Sequence, residues 1–187
     1  MVAKYVDPEG NEVGANKEGE LWMAGPNIFC GYWKNEQATA DSITEEDGLR
    51  YFKTGDVGYQ DSNHNFYITD RVKELIKYKG FQVAPAELEG KLMDHPLVND
   101  VAVIGVYHKE QETEVPRAYV VHAKSANDKD ADEIVKWIDA KVANHKKLRG
   151  GVRFIEEVPK SASGKILRRL LKDKVKQEEE GKTKAKL

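Results

Sequence analysis

Val98-Asn99-Asp100-Val101-Ala102-Val103-Ile104-Gly105-Val106-Tyr107 is the stretch whose reading decides the fold. Val101–Tyr107 is the longest apolar run in the chain and reads as a strand, far too short to cross a bilayer. Upstream, Pro85 begins a helix that runs through Met93 and sets Leu88 and Leu92 one turn apart. Downstream, Val115–Ala123 reads as a second strand. A helix over Ala131–Asn144 follows, with Ile134, Ile138 and Val142 at every fourth position and Val135 and Trp137 widening the stripe. Asp130, Asp132 and Glu133 suit the amino end of its dipole. A strand over Val152–Val158 and a helix over Ile166–Val175 complete the pattern. Strands alternating with helices predict a compact α+β domain, a short β-sheet flanked by helices.

The first third of the chain reads differently. From Val2 to about Tyr67, short strands are punctuated by the turn-forming Asp7-Pro8-Glu9-Gly10, Gly25-Pro26-Asn27 and Asp61-Ser62-Asn63. One helix is expected at Glu36–Ser42, with Asn35 as N-cap because its side chain can accept from the unpaired amides of a first turn. Around Asp70–Lys73 charge interrupts the strand pattern, and the division between a β-rich segment (1–70) and the α+β domain (71–176) is placed there. Residues 177–187 are mostly charged and are expected to form a flexible tail.

Composition narrows the function. Forty per cent of the 187 residues are hydrophobic, enough for one or two small cores. Thirty basic residues against 32 acidic ones leave a net charge of -2, so no global field favours nucleic acid or anionic membrane. Cys30 is the single cysteine, which excludes an internal disulfide, and the five histidines lack the close spacing of a zinc site. Met1 is not followed by a signal-like apolar segment, and no membrane span is encoded. The last residues, Ala185-Lys186-Leu187, are close to the Ser-Lys-Leu signal read by the peroxisomal import receptor; the other reading is a chance match in a lysine-rich end.

Two short motifs suggest chemistry. Thr54-Gly55-Asp56 presents a carboxylate on a tight glycine turn, able to accept both hydroxyls of a ribose without a side chain crowding the sugar. Lys165 follows Ser161-Ala162-Ser163-Gly164, a loop of small residues expected to be flexible, and so offers a mobile positive charge. Such a lysine can neutralise charge that grows at a phosphate in a transition state. The segment is not a Walker loop, since it lacks the first glycine and the Ser/Thr after the lysine. Each motif also has a plain structural reading, as a turn aspartate between strands and as a solvated loop lysine.

In order, Tyr51-Phe52-Lys53-Thr54-Gly55-Asp56, Asp70-Arg71-Val72-Lys73, Lys77-Tyr78-Lys79-Gly80-Phe81-Gln82 and Pro159-Lys160-Ser161-Ala162-Ser163-Gly164-Lys165 resemble the carboxyl-terminal portion of adenylate-forming enzymes, above all 4-coumarate–CoA ligases and beetle luciferases. The resemblance implies a fold, a small C-terminal lid domain preceded by a β-rich remnant of a large N-terminal domain. It also implies a reaction: a carboxylic acid and ATP form acyl-AMP and pyrophosphate, and coenzyme A then takes the acyl group and releases AMP. By the same resemblance Asp56 and Arg71 hold the ATP ribose, Lys165 serves adenylation, Lys73 is the hinge, and Lys77 supports thioester formation. Gln82 supports thioester formation with Lys77, and the strand of Gly80 lines the coenzyme A path, where a glycine lets a thin ligand pass close to the backbone. Peroxisomal location is common among such enzymes, which favours the targeting reading of Ala185-Lys186-Leu187.

The likeness covers about Gly19 to Leu171. Gly19-Glu20-Leu21-Trp22 and Gly31-Tyr32-Trp33 belong to it as aromatic fold support. The family's phosphate loop, its Mg2+-binding glutamate and its acid pocket have no counterpart here, so the chain is expected to be a fragment, inactive or nearly so alone, that needs the missing N-terminal domain. A luciferase-like or carrier-protein adenylating enzyme would use much the same residues. A non-catalytic interaction protein derived from the lid domain is the reading from a different class. The basic stretch Lys160, Lys165, Arg168, Arg169, Lys172, Lys174 and Lys176 is read as a solvated helix face rather than a nucleic-acid site, because no aromatic residues interleave with it.

Overall fold

The computed structural model describes residues 1–124 and 127–184 of the chain. It divides into two compact units, Met1–Lys73 and Glu74–Leu187. The Ala185-Lys186-Leu187 signal lies outside the described residues.

In the first unit, β1 (Val2–Val6), β2 (Gly19–Ala24), β3 (Ile43–Glu46), β4 (Leu49–Gln60) and β5 (Phe66–Arg71) form one sheet of order β1-β2-β4-β3, with β5 also paired to β4. All four pairings are antiparallel. Helix α1 (Glu36–Ser42) sits between β2 and β3, and Asn35 Oδ1 accepts from the Ala38 amide at 3.0 Å, the expected cap. The predicted turns are present. Asp7 Oδ1 accepts from the Asn11 amide at 2.7 Å, and Asp61 Oδ1 accepts from the amides of Asn63 and Asn65, both at 2.9 Å. The core is thin, built on Tyr5, Val6, Ala24, Tyr51 and Val57. Trp33, expected to pack, is instead 88% exposed, in a loop whose next residue, Lys34, takes a left-handed backbone at φ 51°.

The second unit opens with the hairpin β6 (Ile76–Tyr78) and β7 (Phe81–Val83), followed by α2 (Pro85–Leu92). The long strands β8 (Val98–His108) and β9 (Thr113–His122) pair antiparallel, so the deciding stretch is indeed a strand. Helix α3 (Asp128–Asp139) is closed at its start by a capping box between Asn127 and Asp130. It ends five residues before the expected Asn144, because Asp139 Oδ1 turns to accept from the Leu148 amide at 2.9 Å. Strand β10 (Val152–Phe154) pairs parallel to β9 and is shorter than the predicted Val152–Val158. The sheet order is β10-β9-β8.

Helix α4 (Arg168–Lys184) starts two residues later than predicted and carries residues 177–184 within it, where a flexible tail was expected. Lys, Gln and Glu dominate that segment, and they lose little rotamer freedom in a helix. Leu88 and Leu92 of α2, Ile134 and Ile138 of α3, and Leu171 of α4 are fully buried in one cluster with Val103, Ile104 and Val120 of the sheet. The α+β architecture read from the alternating pattern is therefore observed, with four α-helices and three small sheets among the described residues.

Candidate functional site

The Thr54–Asp56 turn lies within β4 and is held on every side. Thr54 Oγ1 donates to the Leu21 carbonyl at 2.8 Å and accepts from the Asp56 amide at 3.0 Å. Gly55, at φ 73°, gives its amide to Glu20 Oε1 at 3.0 Å. Asp56 and Arg71 are cross-strand partners, and Arg71 Nε reaches Asp56 Oδ1 at 2.9 Å. That engages one carboxylate oxygen of Asp56. A cleft of about 480 Å³ runs beside the turn, lined by Glu20, Tyr32, Phe52, Thr54, Gly55, Arg71 and Lys73. Lys73 is exposed and is the last residue of the first unit.

Glu20 was missed as a site residue. The sequence reading assigned Gly19–Trp22 to aromatic packing, yet the Glu20 carboxylate fixes Gly55 with one oxygen and accepts from Trp22 Nε1 with the other, at 3.1 Å. Only the β2–β4 pairing brings it there.

In the second unit, Lys77 and Gln82 face each other across the β6–β7 pair, and both are exposed while Ile76, Tyr78 and Val83 are buried. The Lys77 amide donates to Glu114 Oε2 at 2.9 Å, and the Lys77 carbonyl accepts from Thr113 Oγ1 at 2.9 Å. Gly80 departs from the expectation of a strand glycine. Lys79 (φ 46°) and Gly80 (φ 84°) form the two-residue turn of the hairpin, and a Cβ on Gly80 would meet nothing within 4 Å. The left-handed backbone by itself favours glycine here, and the space beside the position is open. Beside Gln82, Phe81 is 54% exposed and stacks on His145 at 4.6 Å, and the Arg149 guanidinium lies 4.6 Å over Tyr78. Stacked planar rings beside cations suit a planar, anionic ligand. No local signal links Phe81 to His145, which are far apart in the chain.

Lys165 is exposed at the end of an ordered turn. The Ser161 amide donates to the Lys165 carbonyl at 2.8 Å, the Gly164 amide to the Ser161 carbonyl at 2.9 Å, and the Lys165 amide to Ser161 Oγ at 3.2 Å. The loop expected to be flexible is thus closed on itself, because serine hydroxyls supply local partners and Gly164 takes φ 81°. The basic stretch also proves not to be uniformly solvated. Lys160 is paired with Asp100 at 2.6 Å, and Arg168 is paired with Glu89 at 2.7 Å, its side chain only 12% exposed.

The two lysines occupy opposite ends of the β8–β9 hairpin. Lys77 is tied to Glu114, opposite Tyr107, whereas the Lys165 turn is tied through Lys160 to Asp100. Seven residues of strand between these anchors span about 23 Å. A second concavity, about 580 Å³, follows α3 at Lys129, Glu133 and Trp137 and contains none of the expected site residues. Among the described residues no group of three or more His, Cys, Asp or Glu could hold a metal ion, and no helix is long and apolar enough to cross a membrane.

Comparison with known proteins meets this geometry. A probable 4-coumarate–CoA ligase 2 of Dictyostelium discoideum is 47% identical over 174 residues, 92% of this chain and 31% of that protein. Phenylacetyl-CoA ligase epaB of Aspergillus niger is 44% identical over 93% of this chain and 32% of its own length. Luciferin 4-monooxygenase of Luciola mingrelica is 45% identical over 88% and 29%. Among solved structures, ATP-bound MatB from Rhodopseudomonas palustris superposes with a TM-score of 0.81 at 32% identity, over 92% of this chain and 33% of that one. The o-succinylbenzoate CoA synthetase of Bacillus subtilis, in complex with its acyl-adenylate intermediate, gives 0.75 at 31%, over 90% and 33%. The chain thus spans about a third of the length of these relatives.

Fold and relatives agree on the class: over nearly its whole length this chain is similar to a part of adenylate-forming enzymes. Residues 87–165 belong to the AMP-binding enzyme C-terminal domain family.

Proposed function

We propose that the chain is the C-terminal part of a 4-coumarate–CoA ligase-like, AMP-forming acid–CoA ligase, inactive or nearly so by itself. The carboxylate oxygen of the acid attacks the α-phosphorus of ATP and pyrophosphate leaves. The thiol sulfur of coenzyme A, losing its proton, then attacks the acyl carbon and AMP leaves. The observation that carries this reading is the separation of Lys165 and Lys77 on one compact unit, tied to ends of the β8–β9 hairpin whose anchor points lie about 23 Å apart along the strand. Such a unit presents one lysine at a time, and two half-reactions need two lysines in turn.

In this reading Lys165 neutralises charge growing on the acid and the α-phosphate, and Asp56 accepts the ribose hydroxyls through its unpaired oxygen, with Arg71 beside it. Lys73 absorbs the rotation between the two working states. Lys77 and Gln82 then serve thioester formation, with Gly80 shaping the hairpin that carries them. The stacked Phe81 and His145, with Arg149 nearby, suit the nucleotide end of coenzyme A. Mg2+ would neutralise the pyrophosphate from a ligand upstream, and the pocket that selects the acid lies upstream as well. Ala185-Lys186-Leu187 would direct the protein to the peroxisome through the import receptor. A fluorescent fusion that stays cytosolic with or without those three residues overturns that assignment.

Acid-dependent ATP–pyrophosphate exchange tests the main reading, run on this chain and on a chain extended through the upstream domain. Exchange in the extended chain alone, lost in Lys165→Ala, is the expected result. No exchange across a broad panel of acids favours a non-catalytic interaction protein.

A further inference from the structure

Arg168 in the basic stretch is only 12% exposed, and the structure shows what it holds. Its Nη2 donates to both oxygens of Glu89, at 2.8 and 2.7 Å, and its Nε donates to the Val103 carbonyl at 3.2 Å. Glu89 Oε1 accepts in turn from the Val103 amide at 2.7 Å. Val103 lies in β8, the edge strand of its sheet, so the pair satisfies both outward backbone groups of one edge residue. Arg168 Nη1 also lies 3.7 Å from Glu74, the first residue of the second unit.

Lys165 is mounted on this clasp. Its turn sits on a short stem in which Lys160 and Ile166 pair and the Leu167 amide donates to the Pro159 carbonyl at 2.8 Å. One arm of the stem is fastened by Lys160 to Asp100, and the other runs directly into Arg168. We infer that Arg168, clamped by Glu89, is a positioning residue for Lys165: it joins the segment after Lys73 to the lysine turn, so that the turn moves with the domain as one body. The inference rests on the ligase reading above. It adds that adenylation depends on a residue that touches no substrate.

Removing the guanidinium alone would take the cation away from a largely buried carboxylate and lower stability for reasons unrelated to positioning. Glu89→Gln/Arg168→Met is therefore the informative variant, since it removes both charges and keeps an acceptor for the Val103 amide. In the upstream-extended enzyme, this variant should lose at least tenfold in ATP–pyrophosphate exchange, through kcat rather than the KM of the acid. Thioester formation from supplied acyl adenylate should stay within twofold, and Arg168→Lys should recover part of the loss. Exchange within twofold of wild type, or an equal fall in both half-reactions, overturns the inference.

If the wild-type extended enzyme shows no exchange, the ligase reading fails and amide exchange on the 187-residue chain decides the inference. The Ser161 and Gly164 amides should exchange at least tenfold faster in the double variant while Ile104 and Val106 keep their protection. Unchanged rates at Ser161 and Gly164 overturn it.

Discussion

At the scale of single residues, two glycines of this chain do opposite things. A Cβ on Gly58 would lie 1.8 Å from the Tyr67 carbonyl oxygen, so β5 approaches β4 only because that side chain is absent. The register shifts beside it, between Val57 and Gly58, and the shifted ladder is what sets Asp56 against Arg71. Gly58→Ala should destabilise the first unit within the whole chain by roughly 2 kcal/mol or more, read by denaturant unfolding with tryptophan fluorescence after Trp33 and Trp137 are replaced by Phe. Gly80 has open space around it and only its φ to defend, so Gly80→Ala should cost about 1 kcal/mol and leave the position of Lys77 intact. A larger loss at Gly80 than at Gly58 would contradict this assignment. The motif strings made both Asp56 and Gly80 visible, but the reason for each glycine was not legible. Local sequence records neither the strand that will leave no room for a Cβ at Gly58 nor the left-handed turn that Gly80 occupies.

Among the elements, helices were read more accurately than loops. The spacing of Leu88 and Leu92 places α2 to within a residue, and Leu88→Ala should cost about 2–5 kcal/mol in the unfolding of the second unit, because the residue is fully buried. Asn127→Ala removes the cap of α3 and should cost about 1 kcal/mol. The turn joining β4 to β5 carries a pH dependence. Hydrogen bonds from the Asn65 side chain first, then from the Asn65 and Asn63 amides, hold the Asp61 carboxyl below its usual range. A carboxyl with a depressed folded pKa stabilises above its unfolded value, near pH 3.9, and loses that contribution as pH falls through the lower, folded value. The amide resonances of Asn63 and Asn65 should accordingly titrate with a midpoint below pH 3.9; a midpoint at or above it would show that these bonds do not form in solution. The bonds within the Ser161–Lys165 turn were not legible for a related reason: composition reports small polar residues but not the bonds they make to each other.

For the molecule as a whole, the two units differ in how much core they own. Residues 74–187 enclose a continuous cluster from Ile76 to Val175, whereas residues 1–73 bury only a handful of apolar side chains and expose Phe66, Tyr67 and Ile68 along β5. Produced separately, 74–187 should unfold cooperatively by heat or denaturant, and 1–73 should not. Cooperative unfolding of 1–73 alone would overturn that expectation. The sequence by itself determined the class of fold, the helices and long strands of the second unit, and the list of residues from Thr54 to Lys165 that the family resemblance selects, because periodicity and short motifs are local properties. Tertiary structure alone decided that Glu20 braces Gly55, that Phe81 meets His145, that Arg168 is clasped rather than solvated, and that Lys77 and Lys165 stand at opposite ends of one hairpin. Each of these joins residues distant in the chain, and only the pairing of strands and the closing of a core bring such residues within reach.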